Sequence, residues 1–254
     1  MEAKYPTQEH EAAAEAAVSF FAARPETQAV LLTCSCARGK ATKDSCLDIS
    51  LLVLPDADKA YIKRAWNSLC ESEAVFKDMI QVGKYSHVDL DITDGCFTPG
   101  YHGWTSGPDS FELEIGNTLV YSVPLWEKGG YLQRLKDHWL PYYDEAIQAD
   151  RLAMVTLYCL NNLDHIPLFV DRGLYFQAFD RLYHAFGEFL QALFISRRTY
   201  PIAYDKWIEE QIVEILGLPE LYPQLPMLLE IHDFRSREII SKADAVHQLL
   251  QEYV

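Results

Sequence analysis

Residues 31–54 read LLTCSCARGKATKDSCLDISLLVL, and their pattern decides how the rest of the chain is interpreted. An apolar run ends at Leu32, a turn follows with Arg38, Gly39, Lys40 and Lys43, and a second apolar run carries Asp48 two residues after Cys46. Alternation in the second run predicts a strand with Cys46, Asp48 and Ser50 on one face. A basic glycine-containing turn beside a strand-borne carboxylate is a chemistry suited to a polyphosphate and a divalent cation.

Working outward, residues 8–24 are rich in Ala and Glu, with Ala and Phe at helical spacing, which predicts a first helix ending near Pro25. Residues 27–33 then supply the first strand, and residues 57–72 a helix with Ile62, Trp66 and Leu69 on its apolar side. The alternating stretch YSHVDLDIT, residues 85–93, reads as a half-buried strand that points Tyr85, His87, Asp89 and Asp91 one way. Residues 94–110 have no period and many Gly, Pro and aromatic residues, the marks of a long loop. There Tyr101, His102 and Trp104 either stack on a base or pack the loop down.

The stretches 111–115 and 118–123 flank Gly116-Asn117 and predict a β-hairpin, with Glu112 and Glu114 on its polar face and Pro124 closing the sheet. Beyond Gly129 the period is helical, with helices expected near 130–139, 142–164, 171–196, 204–216 and 236–251, separated at Pro141, Pro167, Pro201 and the cluster Pro219, Pro223 and Pro226.

The central stretch resembles the phosphate- and metal-binding signature of the nucleotidyltransferase superfamily. In that family a Gly-Ser pair opens a helix after the first core strand, an Ala-Arg-Gly turn often follows, and an Asp-x-Asp pair lies on the next strand. The matching residues are Cys34-Ser35, Ala37-Arg38-Gly39, Asp44-Ser45 and Cys46-Leu47-Asp48. Cys34 stands where the family has its glycine, and Cys46 where it has the first carboxylate. The resemblance covers about the first 125 residues and extends more weakly to the helical remainder.

The resemblance implies an α+β fold: an N-terminal mixed-sheet nucleotidyltransferase-like domain over residues 1–125 and a C-terminal helical bundle over 126–254. It implies transfer of a nucleoside monophosphate from a nucleoside triphosphate, with magnesium, to a small hydroxylated acceptor or a protein side chain. Asp48, Asp89 and Asp91 are then the metal and catalytic residues, with Glu112 and Glu114 competing for the third acidic position. Asp89 is the first choice for a general base. Ser35, Arg38, Gly39, Lys40, Lys43 and Ser45 are the nucleotide-binding set. A catalytically inactive nucleotide-sensing or protein-interaction module is the alternative that the two cysteines permit.

Composition limits the partners. The chain has 254 residues, 49% of them apolar, and a formal charge of −15, which argues against long nucleic acid as the substrate. No apolar stretch reaches the roughly 20 residues of a membrane span. Six cysteines without a disulfide framework, and no signal-peptide pattern, predict a reduced cytoplasmic protein. Cys34, Cys36, Cys46 and His87 make up a zinc ligand count, although a C-x-C pair is a weak signal. Small buried hydrophobes are the commoner fate of such thiols. His165, His184 and His232 are expected at the surface or between helices. Arg197-Arg198-Thr199-Tyr200 is expected to cap a helix end or to meet an anionic acceptor, with Tyr204, Lys206 and Trp207 nearby.

Overall fold

In the computed structural model, which describes residues 3–254, the chain runs α1 (Gln8–Ala22), β1 (Thr27–Leu32), α2 (Cys34–Ala37), β2 (Leu47–Val53), α3 (Lys59–Ser72), α4 (Ala74–Ile80) and β3 (Val88–Thr93). It continues through α5 (Phe111–Ile115), a π-helical turn at Gly116–Val120, β4 (Val123–Glu127), α6 (Tyr131–Trp139), α7 (Glu145–Asp171) and α8 (Tyr175–Ser196). A second π-helical segment, Glu210–Ile215, precedes α9 (Gln224–Leu229) and α10 (Glu238–Tyr253). The fold is α+β, with a four-stranded mixed sheet and a helical C-terminal region. Among the described residues no helix is long and apolar enough to cross a membrane.

The chain packs as two units. Unit 1 holds the described residues through Phe97 together with Glu114–Trp139, and unit 2 holds Thr98–Leu113 with Leu140–Val254. Residue 125, the expected domain limit, lies inside β4, and the chain passes between units at 97/98, 113/114 and 139/140.

In unit 1 the strand order is β3-β2-β1-β4, with β2 and β3 parallel and the other pairs antiparallel. Alternation sorts the side chains as period two requires. Val30, Leu32, Leu47, Ile49, Leu51 and Val53 face a core built by Ala13, Ala14, Ala17 and Phe21 of α1, Ile62 and Trp66 of α3, and Phe76 and Met79 of α4. Phe21 stacks on Trp66 with centroids 5.1 Å apart. Asp58 caps α3 by accepting the Tyr61 N–H at 2.8 Å. The opposite face of β2 and β3 carries Asp48, Ser50, Asp89 and Asp91. Pro124 does not close the sheet: it pairs with Leu31 inside β4, an edge strand, where a missing N–H costs no ladder bond.

The expected hairpin at 111–123 is a helix instead. Phe111, Ile115 and Leu119, each at most 1% exposed, recur every four residues, so the stretch carried a helical period beneath its alternating one. Pro167 likewise does not break its helix, because Leu163, Ile166, Phe169 and Val170 bury the turns on both sides of it in α7. Of the stretch 204–216 residues 208–215 are helical, and α9 forms within the proline cluster, with Pro223 at its N-cap.

Unit 2 packs α7, α8 and α10 around a core that includes Val155, Leu182, Phe189, Leu193 and Val246. Residues 98–113 are held on this bundle by buried charge. Arg151, 3% exposed, binds Asp109 through both terminal nitrogens at 2.6 and 2.7 Å and Glu112 through Nε and Nη2 at 2.8 and 2.6 Å. Gln191 donates to both carboxylates, and the Tyr143 hydroxyl donates to Glu112. Farther along α8, buried Glu188 accepts from Asn162 at 2.8 Å and lies 3.2 Å from His102 Nε2. His102 and Trp104 both pack on the Tyr158 ring, while Tyr101 is 95% exposed. His102 and Trp104 are therefore packing groups of unit 2. Glu112 is surrounded by four donor atoms of this network and lies outside the group formed by Cys46, Asp48 and Asp89.

Candidate metal and phosphate site

The site grows from the junction of β1 and β2. Thr33, just past β1, donates its N–H and its hydroxyl to the Asp48 carbonyl at 2.9 and 3.2 Å, which fastens the turn to β2 at the acidic residue. Cys34 follows with φ of +55°, in the left-handed region that favours glycine. The sequence resemblance leads one to expect glycine at this position, and the backbone conformation is one that glycine favours. Holding a side chain there costs about 1–2 kcal/mol. Cys34→Gly is expected to raise stability by about 0.5–1 kcal/mol, once glycine's own entropy cost is deducted. A urea denaturation midpoint checks it, and a lower midpoint would mean that contacts of the cysteine side chain outweigh the strain.

The turn beyond is organised by its own backbone. Arg38, Gly39 and Lys40 donate to the carbonyls of Cys34, Cys36 and Ser35 at 3.3, 3.2 and 2.9 Å, and Gly39 has φ of +69°. Lys40 and Lys43 are exposed, and Arg38 is half-buried. The Ser45 hydroxyl accepts the Thr42 N–H at 3.0 Å, so it closes the turn. His10 supports the turn from behind: its Nε2 donates to the Ser45 carbonyl at 3.0 Å, which leaves Nδ1 to accept from the Thr7 hydroxyl at 2.9 Å. Sequence reasoning passed over His10, although its spacing from Ala13, Ala14 and Ala17 placed it on the buried face of α1.

A second support comes from Gly83. A Cβ there would lie 2.4 Å from the Lys43 carbonyl oxygen and 2.7 Å from the Asp44 Cα, both backbone atoms. The neighbouring Lys84 N–H donates to the Asp44 carboxylate at 3.0 Å. Gly83→Ala is expected to push the basic turn away and destabilise the protein by about 1–3 kcal/mol. The same urea titration checks this, and an unchanged midpoint would show the turn to be free to yield.

The acidic groups meet through strand register. Parallel pairing sets Asp48 opposite Asp89 and Ser50 opposite Asp91. Ligand atoms of Cys46, Asp48 and Asp89 all lie within 4.8 Å of one another. Asp91 is one pleat farther along and outside this group. The Cys46 thiol donates to the Asp48 carboxylate, 3.3 Å from Oδ2 and 3.5 Å from Oδ1. Burial first, then the Asp48 charge and hydrogen bond, then the Asp89 charge push that thiol up to about 12. Cys36 is also pushed up to about 12, by burial and then by the Asp48 charge, and its thiol is directed at the Cys46 carbonyl at 3.7 Å. His87 Nε2 lies 3.2 Å from an Asp89 oxygen.

Two carboxylates side by side fit magnesium, which takes one or two protein carboxylates and fills its remaining positions with water and phosphate oxygens. The protonated Cys46 thiol does not fit that hard ion. Cys34, Cys36, Cys46 and His87 do not form a four-ligand cluster among the described residues, so the zinc arrangement is not assembled. In unit 2, His165 Nδ1 lies 2.7 Å from the Asn161 carbonyl on its own helix, and His232 pairs with Glu238 at 2.9 Å. Arg198 pairs with Glu145 at 3.1 Å, a surface contact at the end of α8.

No known family's model matches the chain, and no curated protein matches it. Among solved structures it is similar to a nucleotidyltransferase-like protein from Exiguobacterium sibiricum 255-15. The likeness has a TM-score of 0.47 and 15% identity, over 95% of this chain and 74% of that one. So distant a likeness says nothing of activity.

Proposed function

We propose that unit 1 binds a nucleoside triphosphate with magnesium and transfers the nucleoside monophosphate to a hydroxylated acceptor, a small molecule or a protein side chain. The observation that supports this reading is the in-register meeting of Asp48 and Asp89 next to the basic turn. Asp48 and Asp89 would hold the ion, and Asp91 lies on the same face one pleat along β3. Magnesium, when bound, supplies charge neutralisation on the phosphate oxygens. The Arg38, Lys40 and Lys43 side chains, with the Ser35 hydroxyl and N–H, bind the β- and γ-phosphates, while Gly39 and Ser45 shape the turn that presents them. The acceptor oxygen attacks the α-phosphorus as the bond to the β-phosphate oxygen breaks and pyrophosphate leaves. Asp89, exposed and adjacent to His87, takes the hydroxyl proton.

The protonated thiol at Cys46 favours a second reading, in which the triphosphate binds without turnover. Calorimetric titration with ATP, GTP, CTP and UTP, with and without magnesium, tests the shared step, and pyrophosphate release across hydroxylated acceptors separates the two. Magnesium-dependent binding with release supports transfer. Binding without release supports the sensing module, and no binding of any triphosphate overturns both.

A further inference from the structure

We propose that a cavity in unit 2 binds a small organic cation, an alkylammonium group, by a site separate from Asp48 and Asp89. The cavity, about 230 Å³, lies among α8, the segment 204–208 and α9. Four aromatic residues line it, Tyr183, Phe186, Tyr204 and Tyr222, together with Leu225 and the carboxylate-bearing Asp205. No lysine, arginine or histidine is among its lining residues.

Three observations point to a cation. The four rings make no ring contact with one another or with any cationic side chain among the described residues, so their faces are not consumed by each other. Asp205 is exposed and has no hydrogen bond or ion pair among the described residues, which leaves an uncompensated negative charge at the wall. Tyr204 brings a buried hydroxyl that also lacks a hydrogen-bond partner among the described residues. Aromatic faces attract ammonium groups through their quadrupoles, and walls of several rings are the usual receptor for methylated ammonium. The protein's formal charge of −15 favours approach of such a ligand. Size narrows it further, because pockets for drug-sized molecules run to about 300–1,000 Å³ and this one suits a head group.

The same shape would accept a neutral apolar group, so charge must be tested at constant shape. Choline and tetramethylammonium are titrated into the full-length protein by calorimetry, alongside 3,3-dimethylbutan-1-ol, the uncharged carbon isostere of choline. Choline is expected to bind about tenfold more tightly than the alcohol. Asp205→Asn, at an exposed position, and Tyr222→Leu, on the half-buried rim, are each expected to weaken choline about fivefold, with the far-ultraviolet circular dichroism unchanged. Equal affinity for choline and the alcohol would overturn the assignment, as would choline binding that neither substitution alters. Absence of saturable binding by both ammonium compounds would reduce the cavity to a packing gap and overturn it as well.

Discussion

Arg151→Met is expected to destabilise the protein by about 3–5 kcal/mol, the cost of stripping the counter-charge from buried carboxylates. Two such groups depend on this guanidinium: Asp109, whose side chain is 6% exposed, and Glu112, at 0%. Methionine fills much of the arginine volume, so the loss is electrostatic rather than a cavity. With urea slopes of roughly 1–3 kcal/mol per molar, the midpoint should fall by at least about 1 M. A fall of less than about 0.5 kcal/mol would show that water reaches the carboxylates and that the network is not a buried one. Acid provides a second reading. Burial alone would raise the Asp109 pKa, but hydrogen bonds from Arg151 and its charge outweigh burial and hold the carboxyl below its ordinary range. A depressed folded-state pKa contributes stability that is complete above the unfolded value, about 3.9, and is lost as pH falls through the folded value. Arg151→Met abolishes that depression, so the gap between wild type and variant should narrow as pH falls below about 4.

Asp48→Asn should lower magnesium-dependent triphosphate affinity by about a hundredfold, since it removes one of two charged oxygen ligands from an ion whose hold on the site is electrostatic. The substitution is isosteric, and the amide oxygen still accepts the Cys46 thiol. It also relieves the repulsion between Asp48 and Asp89, which strand pairing holds directly opposite one another. The folded protein should gain about 0.2–1 kcal/mol, so lost binding cannot be laid to unfolding. Calorimetry with and without magnesium, paired with thermal denaturation, reads both changes. Cys46→Asp is the complement: it supplies a third hard ligand and should tighten magnesium about tenfold while costing apo stability. If Asp48→Asn leaves affinity unchanged, the triphosphate is not held through this carboxylate and the proposed reaction loses its metal.

Much of unit 1 was legible in residues 27–54 because local pattern and local structure agree there: an apolar run, a glycine-type turn and an alternating run became β1, α2 and β2. The meeting of Asp48 with Asp89 required that β2 and β3 pair in parallel at one particular register, which spacing alone does not determine. Asp91 was inseparable from Asp89 in sequence, since both share a face, and only the register ranks them. The segment 111–120 failed for a different reason: its apolar residues satisfy both periods, and contacts with Arg151 and Gln191, distant in sequence, go with the helical one. Pro167 failed because tertiary burial on both sides outweighs a missing hydrogen bond. His10 was visible as a histidine on an apolar face, but its partner at Ser45 was not.

The position of β3 at the sheet's edge has a bearing on how any variant of the site should be handled. Its outer side lies open to strand addition by another chain, a hazard that soluble folds blunt with charge. Here Asp89 and Asp91 are both exposed, and Lys63 covers part of the backbone by donating to the Leu90 carbonyl at 2.9 Å. Asp89, one of the two carboxylates proposed for the ion, thus also places charge where a strand would add. Neutralising Asp89 removes a ligand and a guard together, and preparations of that variant need their monomer fraction measured before any loss of binding is assigned to the site.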